Sequence, residues 1–207
     1  MSKDGESEEI FVKIREEYFN TVKDGKEECL CRISFPVAES AALNSLLDKI
    51  CDRVRILCDT GDLIRKYEIN ADKRERFLVT PYRFVCMGTL YEVGEGILCC
   101  KIRSTLDARF PGGVHILETC AFFYDEATEQ IIPTRMLLPP DIRRKLKRKG
   151  DVIVAYADVE GIHLLFAEKS EYILPSERFL SYYLPMRRYM VKRGKKAKKG
   201  IDKRNKL

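Results

Sequence analysis

Between Tyr82 and Tyr124 the chain runs through three successive stretches of alternating apolar and polar residues, and the joints between them are turn chemistry. YRFVCMGTLYEV (82–93), GILCCKIRSTLDA (96–108) and VHILETCAFFY (114–124) are rich in aromatic and β-branched residues. A period of two sends successive side chains to opposite faces of a sheet. Gly94-Glu95-Gly96 and Phe110-Pro111-Gly112-Gly113 occupy the joints, where glycine admits left-handed backbone and proline presets φ. An antiparallel meander of this kind must bury one face. The fold class that follows is α+β: an antiparallel β-sheet with helices packed on one face.

The segment before the meander supplies material for that face. Leu43, Leu46, Leu47, Ile50, Val54 and Leu57 follow helical spacing, with Ser40 placed to cap the first turn and Asp59-Thr60-Gly61 to end it. A further helical stretch is expected over 62–75. Ile10–Thr21 and Cys29–Ser34 read as a hairpin around Asp24-Gly25. Downstream, Pro139-Pro140 opens a short helix with Asp141 at its N-terminus, Ile162–Ala167 reads as a late strand, and Ser176 caps a short helix over 176–183. The domain plan is a polar leader (1–9), one folded domain (10–185), and a basic tail (186–207). That tail has too little apolar surface to build a core and is expected to be disordered.

The remaining composition narrows the class of protein. At 207 residues, 45% hydrophobic and 34% charged, the chain can bury a core of its own. It has no apolar run near 18 residues, and its first ten residues, MSKDGESEEI, are acidic and polar where a signal peptide is basic and then apolar. The expected location is the cytoplasm. Eight cysteines occur without a CxxC: Cys29 and Cys31 form CxC, and Cys99 and Cys100 are adjacent. They read as reduced, small core hydrophobes: Cys51 and Cys58 on one helix face, and Cys86, Cys99 and Cys120 buried in strands. No metal site or cofactor is expected.

The net charge of +6 is unevenly placed. From Arg187 to Leu207 the tail carries 11 Lys/Arg and one acid, so the body before it is mildly acidic. A second basic run, RRKLKRK, spans Arg143–Lys149. The candidate polyanion-binding residues are Arg143, Arg144, Lys145, Lys147, Arg148 and Lys149 in that run, with Lys195, Lys196, Lys198 and Lys199 in the tail. They would meet nucleic acid or an anionic surface weakly and without sequence preference; a solvated tail and an exposed helix face are the competing readings. His115 and His163 lie inside apolar strand runs without HxH, HxxxH or HExxH spacing, and read as structural. Glu118 with Asp125 is open as a carboxylate pair, but acidic residues at strand ends read as solvated. GxGxxG, GxxxxGK[ST] and GxSxG are absent. No catalytic residue is assigned, and the chain is not expected to be an enzyme.

One long segment, ILCCKIRSTLDARFPGGVHILETCAFFYDEATEQIIPTRMLLPP, resembles the DUF3298 family. That family is seen beside DUF4163 in Firmicutes proteins and in the lysozyme-binding part of an anti-sigma factor. The likeness rests on a strand, a Gly-Gly-x-His turn (Gly112, Gly113, His115), a strand ending in aromatic-Asp (Tyr124, Asp125), and a polar turn leading to Leu137-Leu138. GIHLLFAEKSEYILP is similar to the family's last strand and loop, and FPVAES with its helix resembles the DUF4163 half. The resemblance divides the domain into a DUF4163-like part (29–80) and a DUF3298-like part (82–185). The chain departs from it at Ile116, where the family often has Pro or Gly. The resemblance implies an α+β fold, structural roles for the turn residues, and a non-catalytic binding or regulatory role toward a protein partner that the sequence does not name.

Overall fold

The computed structural model describes residues 13–23, 25–59, 82–107, 114–146, 150–167 and 170–204. Six strands hydrogen-bond in sequence order: β1 (Ile14–Lys23), β2 (Lys26–Pro36), β3 (Tyr82–Gly94), β4 (Ile97–Asp107), β5 (Val114–Asp125) and β6 (Gln130–Ile132). A second sheet holds β7 (Val152–Asp158), β8 (Gly161–Phe166) and β9 (Glu171–Leu174). The helices are α1 (Ala41–Asp59), α2 (Pro140–Leu146) and α3 (Ser176–Arg204), with a 3₁₀ turn at Thr134–Met136. The α+β class is as expected. The chain divides into two compact units, Met1–Gly88 with Ser104–Leu117 and Thr89–Arg103 with Glu118–Leu207.

In the first unit β1 and β2 form the expected hairpin, paired from Ile14↔Pro36 to Lys23↔Lys26 with a register shift between Thr21 and Val22. Cys29, Cys31, Ile33 and Phe35 alternate on β2 and are buried together with Leu43, Leu47, Cys51 and Cys58 of α1. The helix begins where its cap predicts: the Leu43 N–H donates to Ser40 Oγ at 3.2 Å. Asn44 holds the chain entry by bonding both the N–H and the carbonyl of Ala38, at 2.9 and 2.8 Å. Arg15 pairs with Asp48, and Arg55 with Glu17, tying β1 to α1. β2 pairs with β3 in parallel, Cys29↔Tyr82 through Ser34↔Met87. This departs from the all-antiparallel expectation, and α1 lies within the long crossover connection that parallel neighbours need. The helix expected at 62–75 lies outside the described residues.

The second unit has its own core, in which Phe123, Leu137, Ile142, Ile162, Leu164, Leu174 and Phe179 are all essentially inaccessible. Gly94, Glu95 and Gly96 turn β3 into β4 with three successive positive φ values, 123°, 57° and 71°. Two of the three positions therefore need glycine. β7 was not anticipated, because its run VIVAYA is continuously apolar and carries no alternation. The last helix, expected to stop near Tyr183, continues to Arg204, so the backbone of the basic segment is helical where an irregular tail was expected. Lys, Arg and Ala are strong helix formers, and they carry the helix past Pro185. Among the described residues no helix is long and apolar enough to cross a membrane.

Candidate functional site

Three groupings of polar side chains stand out, all in the second unit. The first surrounds α2. Its buried side, Ile142 and Leu146, packs inward while Arg143, Arg144 and Lys145 stay exposed. Arg143 Nη2 donates to the carbonyls of Arg135 and, at 3.4 Å, Leu138. Asp141, at the start of the helix, pairs with Arg178 of α3. Beside α2 lies a cleft of about 650 Å³. Leu138, Leu146, Val152 and Phe166 form its floor; Arg135, Arg143, Arg144 and Asp151 stand around it. Clefts of this size take small ligands or a few side chains of a partner.

The second grouping is centred on Asp125, read from sequence as solvated. That reading is corrected: Asp125 is fully buried. Its carboxylate accepts from Tyr183 Oη at 2.9 Å, Arg187 Nη1 at 3.2 Å and the Ala127 N–H at 3.0 Å. Arg187 Nη1 also donates to the Glu95 carbonyl at 2.9 Å. The β3–β4 turn, the end of β5 and the face of α3 are thereby held by one charge-assisted network. Burial, and then the bond to Asp125, push the Tyr183 hydroxyl well above the usual phenol range. Tyr124, its neighbour in the Tyr-Asp pair, is buried and pairs with Ile131 of β6.

The third grouping is on the β7–β8 hairpin. His163 Nε2 lies 2.7 Å from Asp158 Oδ1 and Nδ1 lies 2.7 Å from Glu171 Oε1, on β9. The imidazole is stacked on Tyr156, centroids 4.6 Å apart and planes within 2°. Lys101 Nζ sits 3.7 Å from the centre of the Tyr156 ring. Burial alone would lower the affinity of His163 for its second proton, yet the hydrogen bonds to Glu171 and Asp158 outweigh it and hold the imidazole above its ordinary pKa. His163 lies on β8 and is buried; its carboxylate neighbours gave no local signal in the sequence.

Gly112, Gly113, Lys147, Arg148 and Lys149 lie outside the described residues. His115 lies on β5, and Lys195, Lys196, Lys198 and Lys199 lie along α3. Seven cysteines are buried, but Cys120 is exposed, which corrects its expected burial. Strand alternation could not say which face of β5 is covered. Cys29 Sγ and Cys31 Sγ approach to 3.5 Å on β2. Burial pushes the Cys99 thiol up to about 11, against donation from the Ala157 N–H.

No protein-family model and no curated protein sequence matches the chain. Solved structures do. A DUF3298 family protein from Pseudomonas aeruginosa PAO1 is similar with a TM-score of 0.51 at 11% identity, over 82% of this chain and 93% of that one. The fold is that of a DUF3298 protein. A member of the same family from Bacteroides fragilis NCTC 9343 is 12% identical with a TM-score of 0.36, over 81% and 91%. At such identities the DUF3298 likeness concerns architecture, and it transfers no residue role to the cleft, the Asp125 network or the His163 cluster.

Proposed function

We propose that this chain is a non-catalytic binding domain whose partner is a protein presenting an acidic segment with an aliphatic or aromatic side chain. The observation that carries the reading is the cleft beside α2, which joins a buried apolar floor to three exposed arginines. An apolar side chain on the floor and a carboxylate meeting an arginine fork would satisfy both kinds of surface. The test is selection from a displayed peptide library on the full chain, followed by anisotropy with the selected peptide. Peptides pairing Asp or Glu with Leu or Phe, bound at least tenfold more weakly by Arg144→Glu, are expected. No enrichment, or equal binding by the folded variant, would overturn the reading.

A second reading is favoured by the helical basic segment: association with nucleic acid through Arg143–Lys149 and the lysines of α3. Repeating the selection after nuclease treatment separates the two, because only the second needs a polyanion. Seven buried thiols, packed as core hydrophobes, support a reducing compartment, and we place the protein in the cytoplasm.

A further inference from the structure

The β7–β8 hairpin brings three metal-ligating side chains to one point. Asp158 ends β7, Val159-Glu160 make a two-residue turn, and Gly161 opens β8 opposite Asp158. His163 follows two residues later, on the same face as Asp158 because side chains alternate along a strand. Asp158 Oδ1 reaches the imidazole edge directly, 2.7 Å from Nε2. The Glu160 N–H donates to Asp158 Oδ1 at 2.9 Å and folds the turn back over its own carboxylate. One ligand atom each from Asp158, Glu160 and His163 lie within 4.8 Å of one another.

A second observation comes from another strand. Metal-bound imidazoles almost always give their other ring N–H to a carboxylate or carbonyl, which sets the tautomer and aims the ligating nitrogen. Glu171 of β9 takes that place on Nδ1, and the Tyr156 stack holds the ring plane. His163 is only 5% exposed, and its Nε2 is directed toward Asp158. The local charge is net acidic. Asp158, Glu160 and Glu171 stand around one imidazole, and the Lys101 ammonium, over the ring of Tyr156, offsets part of that negative charge at Asp158.

We propose that Asp158, Glu160 and His163 Nε2 form a binding site for a divalent first-row transition cation, with Glu171 orienting the histidine. One nitrogen and two carboxylate oxygens suit such ions, and water completes the shell. The ion takes the imidazole with Nε2 unprotonated, so a proton held there leaves as the ion binds. Its effect is to clip the hairpin turn to β8.

The test is titration of the full chain with Co²⁺, followed by visible absorption and by calorimetry in buffers of different ionisation enthalpy. One Co²⁺ per chain with close to one proton released below the histidine range is expected. His163→Gln should abolish uptake, and Glu171→Gln should weaken it about tenfold to a hundredfold. Should His163→Gln fail to fold, Glu160→Gln changes only an exposed turn residue and is expected to weaken binding at least tenfold. No uptake by folded wild-type protein would overturn the proposal. So would unchanged affinity in folded His163→Gln or Glu160→Gln, or a thiolate-to-cobalt charge-transfer band that alkylation removes, which would assign the ion to cysteine.

Discussion

Asp125 carries the sharpest expectation at the level of single residues. Removing one partner of a buried charged pair leaves the other uncompensated, at a cost of about 3 kcal/mol or more. Asp125→Ala should lose that much in urea unfolding, because it strands both Tyr183 and Arg187. Tyr183→Phe deletes one bond to a charged acceptor and should cost about 2 kcal/mol; a loss of only a few tenths would mean that bond is not made. The network was invisible in sequence for a plain reason: Tyr183 and Arg187 stand 58 and 62 residues from Asp125. The thiols give a second expectation. Denatured protein should titrate eight thiols, while native protein should react quickly at one, and Cys120→Ser should remove that fast phase. Several fast-reacting thiols in Cys120→Ser would contradict the burial of the others.

Among the elements, α1 was the most legible. Its apolar spacing and Ser40 cap are local properties, and the helix begins at Ala41 as they require. Ser40→Ala should cost about 1 kcal/mol in a thermal or urea melt. The strands β3, β4 and β5 were equally legible from alternation, whereas β7 was hidden by its continuously apolar sequence. Gly161 is a test of the second sheet. Its φ is 136°, and a Cβ there would lie 2.6 Å from the Leu174 carbonyl oxygen of β9. Gly161→Ala combines backbone strain with that clash and should destabilise by more than about 1 kcal/mol. A neutral melt would mean that β8 and β9 do not approach as described.

For the molecule as a whole, the uneven charge is the property with the widest reach. If the basic helix meets nucleic acid, binding should weaken steeply with salt and be indifferent to sequence. Neutralising Lys195, Lys196, Lys198 and Lys199 together should flatten the salt slope on duplex DNA, by roughly 0.9 for each phosphate that no longer meets a lysine. The measurement is anisotropy across a salt series. An unchanged slope in the fourfold variant would place the binding surface elsewhere and remove the tail from the reading.

The amino-acid sequence alone determined the features that depend on neighbours along the chain. The α+β class, the meander, the β1–β2 hairpin, the capped helix and the segregation of basic charge all arise from periodicities of 2 and 3.6 and from turn chemistry within a few residues. The resemblance of residues 97–140 to DUF3298 likewise rests on a local succession of strands and turns, and the fold it implies is shared with the Pseudomonas aeruginosa structure. Tertiary structure decided the rest. Only folding could pair β2 with β3 in parallel, bury Asp125 under Tyr183, leave Cys120 outside, or lay Glu171 of β9 against His163 of β8. The β2–β3 pair and the Asp125–Tyr183 bond join groups far apart along the chain, the His163–Glu171 contact joins neighbouring strands across a turn, and the exposure of Cys120 depends on which face of β5 is covered. These outcomes are selected by burial and hydrogen-bond satisfaction across the fold, which periodicity and turn chemistry do not specify.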